Sequence, residues 1–294
     1  MQKYTREIVT QVLAATDITE VLQRSVELHP AGSGRMKGLC PFHQEKTPSF
    51  MVSRHRQTFH CFGCGKGGDA ITFLMEYDGL TFVEALRHLA DRAGIKLPAM
   101  TKEDDRAEYL RRGLHEFGRF AARHYVKTLR DPQTGKPGRD YLESRQLNPE
   151  TVKRFGLGYV PEGWSNLYDA ARREGFKDDI LEASGLFKRG RQGFYDFFRN
   201  RLMFPIVNVQ DHVVAFGGRD LGGETQAKYI NSPETLVYKK SRVLYGLNHA
   251  RKAMLAQKQA LLVEGYFDVL RCVDAGIDNV VATCGTALTE AQAR

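Results

Sequence analysis

Two short cysteine and histidine knuckles constrain this chain more than any other feature. Cys40-Pro-Phe-His43 and Cys61-Phe-Gly-Cys64 each hold two ligand-type side chains three positions apart, with seventeen residues between the knuckles. A two-residue spacer lets both side chains of a knuckle face one ion, and three thiolates with one imidazole close a tetrahedral zinc shell with no open position. The spacing therefore predicts one structural zinc per chain, held by Cys40, His43, Cys61 and Cys64. His60 adjoins Cys61 and competes for the fourth place, although it belongs to no spaced pair. The bland alternative is small buried thiols beside a satisfied core histidine, but two correctly spaced knuckles are much rarer by chance. The remaining cysteines, Cys272 and Cys284, sit in apolar surroundings and read as buried small residues.

A metal reading also needs reduced thiols. The N-terminal MQKYTREIVTQVLAATD has no apolar h-region before a small-residue cleavage site, which argues against secretion. No run of about 18 apolar residues is long enough to span a membrane. A cytoplasmic setting follows as the expectation, and there clustered cysteines bind metal more often than they pair. At 294 residues the chain is long enough for two domains. Its formal charge of +8 permits attraction to a polyanion without requiring it.

Between the knuckles, SFMVS and QTFHCFG read as two strands around the basic turn RHRQ, the pattern of a zinc ribbon. Phe50, Arg54, His55, Arg56, Phe59, Phe62 and Lys66 interleave aromatic and basic character. Because strand faces alternate, some of these aromatics are expected to face outward with the arginines, as a reader of single-stranded nucleic acid requires. Two helices close the domain: Asp69 caps AITFLMEYDG, and Thr81 with Glu84 forms a capping box opening TFVEALRHLADRAG. Phe82, Leu86, Leu89 and Ala93 share one face and read as core.

After KLPAM the sequence turns polar and charged, with no apolar stripe before Leu114, so a linker is expected over residues 99–112, with a helix over part of it as the open alternative. Most of the positive excess lies beyond it, in Lys188, Arg189, Arg191, Arg199, Arg201, Arg219, Lys228, Lys239, Lys240 and Arg242. Such a run is usually a solvated face. Gly217 and Gly218 precede Arg219 and would let backbone approach a ligand closely, or simply form a tight strand turn. LLVEGYFDVL ends an apolar strand at Glu264, turns at Gly265 and opens a helix carrying Asp268, and ligands of α/β sheets gather at the carboxyl ends of strands.

Taken in order, CPFHQEKTPSF, FHCFGCGKGGD, FRNRLMFPI, VAFGGRDL, AKYINSPET, KSRVLYGLNHA, LLVEGYFDVL and VVATCGTALT resemble the bacterial DNA primases of the DnaG type over essentially the whole chain. The resemblance implies an α+β and α/β protein. An N-terminal zinc ribbon, a β-sheet with flanking helices, would occupy residues 1–98 and contact the template. A linker at 99–112 and the N-terminal subdomain of a mixed α/β polymerase core at 113–256 would follow, and a TOPRIM subdomain, incomplete here, would start at 257–294. It makes Cys40, His43, Cys61 and Cys64 the zinc ligands. Arg145, Arg199, Arg201, Arg219, Lys228, Asn231 and Lys240 become contacts to template, primer or nucleotide. Glu264 becomes a ligand to catalytic Mg²⁺ or Mn²⁺ or an acid/base group, with Asp268 a second, supporting acid.

The activity implied is template-directed synthesis of short RNA primers on single-stranded DNA at replication forks, with ribonucleoside triphosphates and the nascent primer as partners. The family's contact to the replicative helicase, and a strand bearing an Asp-x-Asp metal-binding pair, correspond to sequence beyond residue 294. On that ground catalysis by these residues alone is not expected, whereas DNA binding is. The competing reading is a zinc-dependent single-strand-binding protein without polymerase activity. A topoisomerase-like TOPRIM nuclease lacks a recognisable tyrosine nucleophile context.

Overall fold

The fold is built from two units, and both can be followed from local sequence signals. The computed structural model describes residues 4–98, 102–191, 193–222, 227–283, 285 and 287–293. It divides into Met1–Asp104 and Asp105–Arg294. No helix of the described residues is long and apolar enough to cross a membrane.

The first unit opens with α1 (Arg6–Ala14) and α2 (Ile18–Leu22), each capped by its preceding polar residue, Thr5 and Asp17. Five short strands follow: β1 (His29–Pro30), β2 (Arg35–Gly38), β3 (Phe50–Ser53), β4 (Thr58–Cys61) and β5 (Gly67–Gly68). They form one antiparallel sheet in sequence order. The register pairs Phe50 with Cys61 and Val52 with Phe59, so these four side chains share the buried face. α3 (Ala70–Tyr77) begins at Asp69, whose Oδ1 accepts from the Thr72 amide at 2.8 Å. α4 (Phe82–Arg92) has the expected capping box, Thr81 to Glu84 and back. Leu86 and Leu89 are buried from α4, and Phe82 packs at the rim of the same core.

Of the ribbon's interleaved aromatics, Phe62 faces outward as expected, whereas the two on the strands do not. Phe50 and Phe59 both point inward, stacked 5.2 Å apart, with Phe42 and Phe73 around them. Directly opposed positions on paired strands share a face, and here that face is the core. Phe62, 74% exposed just past β4, is the aromatic that faces out, with His60 edge-on at 4.7 Å. Arg54 is tied to Asp17 at 2.8 Å, and Lys66 to Glu76 at 2.6 Å.

The second unit starts on α5 (Lys102–Arg130), a helix of 29 residues. The stretch expected as a linker therefore belongs, from Lys102, to this helix. Its apolar stripe begins before Leu114, because Tyr109 and Leu110 are half-buried against the core. Arg106 and Tyr109 also reach Asp179, at 3.2 and 3.3 Å. Next come α6 (Lys136–Ser144), α7 (Pro149–Arg154), β6 (Gly158–Val160), α8 (Asn166–Glu174), α9 (Asp178–Ala183) and the hairpin β7 (Phe187–Gly190) and β8 (Gly193–Asp196). Asp196, at the end of that hairpin, is 2% exposed and its carboxylate accepts from the Leu167 and Tyr168 amides at 2.8 and 3.0 Å, holding the start of α8.

The centre of the unit is a four-stranded antiparallel sheet. β9 (Arg201–Val207) and β10 (Val213–Asp220) form its inner hairpin, flanked by β6 and by β11 (Tyr229–Asn231). α10 (Leu247–Gln257) leads to β12 (Leu261–Val263), α11 (Tyr266–Asp274) and β13 (Val280–Ala282), in which β12 and β13 pair in parallel through the α11 crossover. α12 (Glu290–Ala293) is the last described element. Phe204 of β9 stacks on Tyr266 of α11 at 4.7 Å, so the βαβ segment shares a core with the central sheet.

Candidate functional site

The first unit carries a metal centre. Cys40 and His43 come from the turn before β3, Cys61 ends β4, and Cys64 lies in the turn after it. Their ligand atoms all lie within 4.8 Å of one another. Cys40 Sγ is 3.8 Å from Cys64 Sγ, and Cys61 Sγ is 3.9 Å from His43 Nδ1. Ligands at about 2.3 Å from a tetrahedral zinc sit about 3.8 Å apart, so the donor set fits Zn²⁺ without rearrangement. His60 stands outside the group, and the imidazole within it is that of His43. Burial pushes the Cys40 thiol up to about 12, so in the absence of a cation it keeps its proton. Zinc supplies the charge that makes it a thiolate, and the site is structural because all four positions are protein ligands.

Around this centre lies a set of hydrogen bonds that spacing alone did not reveal. Glu45 Oε1 accepts from the Cys40 and Ser49 amides at 2.7 and 3.1 Å. Its Oε2 accepts the Ser49 hydroxyl and lies 3.2 Å from His43 Nε2. The Ser49 hydroxyl bond, followed by these amides, holds the Glu45 carboxyl below its ordinary range. The signal available in sequence was polar residues packed directly between the knuckles, in HQEKTPS.

The second unit carries a basic cleft. Arg219, near the end of β10, lies between the rings of Tyr141 and Tyr229, with its guanidinium carbon 5.4 and 5.2 Å from their centroids. Its Nε and Nη1 are buried and have no hydrogen-bond partner among the described residues. Burial raises the Tyr229 hydroxyl to about 12, while Arg219 and Arg145 oppose it and Tyr141 and Asp268 add to it. Those neighbours gather α6, β10, β11 and α11 at one place. Arg145, exposed after α6, stacks over Phe267 of α11 at 5.3 Å. Lys228 is exposed beside β11, and Lys240 follows Lys239, which pairs with Glu234 at 3.3 Å. The flanking tyrosines escaped sequence reasoning, although Tyr229 stands inside KYINSPE.

Two neighbouring arginines have opposite fates. Asn200 adopts a left-handed turn with φ 49°, which sends Arg199 and Arg201 to different sides. Arg199 lies 3.7 Å over the ring of Trp164, itself 63% exposed. Arg201, expected to touch ligand, is instead buried: it donates to the Gly218 and Ala227 carbonyls at 3.0 and 3.3 Å and faces Asp220 at 3.8 Å. Desolvation lowers its pKa and Asp220 counters that. It braces the hairpin that presents Arg219. Asn231 is likewise engaged within the fold, its Oδ1 accepting from Tyr266 at 2.6 Å.

The double glycine also serves packing rather than ligand approach. A Cβ at Gly217 would lie 2.4 Å from the Tyr266 ring, and one at Gly218 would lie 2.6 Å from Phe198.

Glu264 follows β12 directly and is exposed, with no partner among the described residues. Asp268 Oδ2 accepts from the Gly265 amide at 3.0 Å, so it caps α11 and helps to hold the turn carrying Glu264. Among the described residues the Cys/His centre is the one place where three or more potential metal ligands converge. Cys272 is half-buried, and Cys284 lies outside the described residues.

Comparison with known proteins bears on both sites. Residues 4–105 match a family model described as the CHC2 zinc finger, 124–251 match the N-terminal domain of the DNA primase catalytic core, and 258–294 match a Toprim domain. The chain is 44% identical to the DNA primase of Streptomyces coelicolor, over 96% of this chain and 44% of that protein. It is 42% identical to the DNA primase of Halalkalibacterium halodurans, over 100% of this chain and 49% of that protein. Thus it spans less than half the length of these curated relatives. Among solved structures it is similar to the zinc binding and RNA polymerase domains of Aquifex aeolicus primase, with TM-score 0.55 and 35% identity, covering 97% of this chain and 68% of that one. It is also similar to a DnaG primase catalytic domain bound to ssDNA, with TM-score 0.57 and 36% identity, covering 63% of this chain and 57% of that one.

Proposed function

Because this chain belongs to the family of bacterial DnaG-type DNA primases, we propose that it takes part in template-directed synthesis of short RNA primers on single-stranded DNA. The observation that carries the reading is Arg219: a half-buried side chain whose Nε and Nη1 are themselves buried with no partner among the described residues is costly unless an anion completes it. The phosphates of a ribonucleoside triphosphate or of a primer–template fit that need. The tyrosines on either side hold the guanidinium plane and exclude water, which strengthens its hydrogen bonds to phosphate oxygens.

Arg145 and Lys228 extend positive charge beside Arg219 for nucleotide and template backbone, Lys240 is assigned to the same nucleic-acid contacts, and Arg199 on Trp164 offers a stacking surface for a base. Phe62 and His60 on the zinc unit supply a second exposed aromatic face for single-stranded template. Glu264 and Asp268 are the acidic groups we assign to catalysis. When a divalent ion such as Mg²⁺ or Mn²⁺ is bound, it supplies charge to the attacking 3′-hydroxyl and the departing pyrophosphate. Glu264 is the free carboxylate for such an ion, and Asp268 holds its turn. Ribonucleotides and the growing primer are the partners assigned to this cleft, in the cytoplasm at the replication fork, and no contact to the replicative helicase is assigned to these residues.

A second reading has its own observation. Hard cations take about six or more oxygen ligands, and Glu264 and Asp268 are joined by no third ligand-type side chain among the described residues. That favours template binding without nucleotidyl transfer by residues 1–294 taken alone.

One pair of measurements separates the two. Fluorescence anisotropy with labelled single-stranded DNA is expected to show binding that weakens in Arg219→Gln and is unchanged in Glu264→Gln. Primer synthesis is then assayed in a chimera carrying residues 1–294 in place of the matching part of the Halalkalibacterium halodurans primase. There both substitutions are expected to abolish labelled primers. Primers persisting in the Glu264→Gln chimera would refute the assigned metal role, and DNA binding indifferent to Arg219→Gln would refute the cleft.

A further inference from the structure

The zinc centre contains a carboxylate that no spacing rule assigns, and its contacts reach both knuckles. We infer that Glu45 is the positioning residue of this centre, joining the two knuckles and fixing the nitrogen that His43 presents to the ion. The inference stands whether or not the basic cleft polymerises nucleotides.

Four contacts converge on a side chain only 10% exposed. On the first knuckle, Glu45 Oε1 accepts from the Cys40 amide at 2.7 Å. Toward the second it holds Ser49, through the Ser49 amide at 3.1 Å and the Ser49 hydroxyl. Ser49 in turn reaches Cys61 Sγ at 3.2 Å, and its carbonyl accepts from the Phe62 amide at 3.0 Å. A chain of bonds thus runs from Cys40 through Glu45 and Ser49 to the Phe62 amide of the second knuckle, and because the one Ser49 hydroxyl hydrogen goes to Glu45, Cys61 Sγ is a packed neighbour of that hydroxyl. Without that chain, the long connection between the knuckles would leave each pair of ligands to find the other.

The fourth contact selects a tautomer. His43 Nδ1 faces Cys61 Sγ at 3.9 Å, while Nε2 lies 3.2 Å from Glu45 Oε2. An ionised carboxylate only accepts, so Nε2 carries the hydrogen and donates it, leaving the Nδ1 lone pair for zinc. The ring cannot swing away, because Gly63 is packed against it: a Cβ there would lie 2.7 Å from His43 Nε2 and 2.9 Å from Ser49 Oγ. Any side chain at the glycine of Cys-Phe-Gly-Cys would have to displace the His43 ring or the Ser49 hydroxyl.

Glu45→Gln tests the idea with little change of shape. The glutamine oxygen can keep both backbone amides, but its NH₂ group then faces His43 Nε2–H, donor against donor. The imidazole must either lose that bond or move its hydrogen to Nδ1, the zinc-binding nitrogen. Zinc affinity, read by competition with a chromophoric chelator, is expected to fall about 10- to 100-fold, and the ligand-field bands of the Co²⁺-loaded protein to shift. Ser49→Ala should lose less, and Gln44→Ala, an exposed neighbour, should lose nothing. The Zn²⁺-loaded wild-type chain provides a check that survives any folding defect: ¹⁵N shifts of the His43 ring should show Nδ1 coordinated and Nε2 protonated. Coordination through Nε2, or a Glu45→Gln chain that binds zinc within about twofold of wild type with an unchanged cobalt spectrum, overturns the inference.

Discussion

Acidification should strengthen the second unit through one buried carboxyl, and the size of the effect can be worked from the structure. Asp196 lies at the start of α8 with 2% of its surface exposed, and burial raises its pKa to about 6 against an ordinary 3.8. The Leu167 and Tyr168 amides that bond it favour the charged form and oppose this shift, but burial outweighs them. A carboxyl whose pKa is raised by folding binds its proton more tightly in the folded state. Its contribution is therefore fully present below pH 3.8, and it is lost as pH rises through about 6. A shift of about 2 units at about 1.4 kcal/mol each is worth about 3 kcal/mol. His115, pushed down to about 4 by burial, and His249 and His124, lowered by the same cause, act in the opposite direction over the same window. The total pH profile would hide the effect, so the measurement is a difference. Wild type and Asp196→Asn are unfolded in urea between pH 7 and 4, read by the fluorescence of Trp164, the chain's one tryptophan. Its carbonyl accepts from the Asp196 amide at 2.7 Å, which places the reporter at the site. The asparagine does not titrate, so its lost amide bond is a constant offset. Wild type should gain about 3 kcal/mol on the variant as pH falls. Parallel profiles would refute the dominance of burial, and a wild type that loses ground in acid would mean that the amide bonds win.

Two further outcomes are expected. Gly217→Ala drives a Cβ to within 2.4 Å of Tyr266, which is held by Asn231 and stacked on Phe204. Urea unfolding should show a loss of about 1–3 kcal/mol, and a loss under about 0.5 kcal/mol would mean that Tyr266 has another place to go. Stripping zinc with a chelator should lower the thermal transition of the first unit while leaving the Trp164 transition in place, and zinc uptake should release protons, since the Cys40 thiol must ionise to bind. Calorimetry in buffers of different ionisation enthalpy counts those protons, and no release would contradict the thiolate assignment.

The metal centre was legible because ligand spacing is a local property of the chain: two knuckles dictate a tetrahedral set before any fold is known. Asp69 and the Thr81–Glu84 box were legible for the same reason, since a cap is decided within one helical turn. The ribbon's faces were not. Alternation says that neighbours along a strand point apart, but which face is buried depends on pairing Phe50 with Cys61 and on the α3 phenylalanine that covers them. The division between the units does fall within the expected stretch, at Asp104, but the length of its helical part was not legible, because Tyr109 and Leu110 find burial against distant residues of the second unit while the surrounding charges dominate the local pattern. Arg199 and Arg201 looked alike in sequence. A left-handed residue between them, and a carboxylate nineteen positions away at Asp220, decided which one would be buried in the sheet and which would lie over Trp164.

The Arg201 and Asp220 pair has a consequence for how such a chain can drift over generations. The two residues sit opposite each other in the register of the central hairpin, 6% and 7% exposed. Losing either partner alone leaves a buried charge uncompensated, a cost of about 3–5 kcal/mol, whereas apolar replacement of both can be nearly neutral. Either position alone is thus a dead end, and viable paths pass through both at once or through a compensating change first. Arg199, two positions away and half-buried over the exposed Trp164 ring, has no such buried ion pair and can change without a compensating partner. One segment of three residues therefore joins a position that must wait for its partner to one that can change by itself.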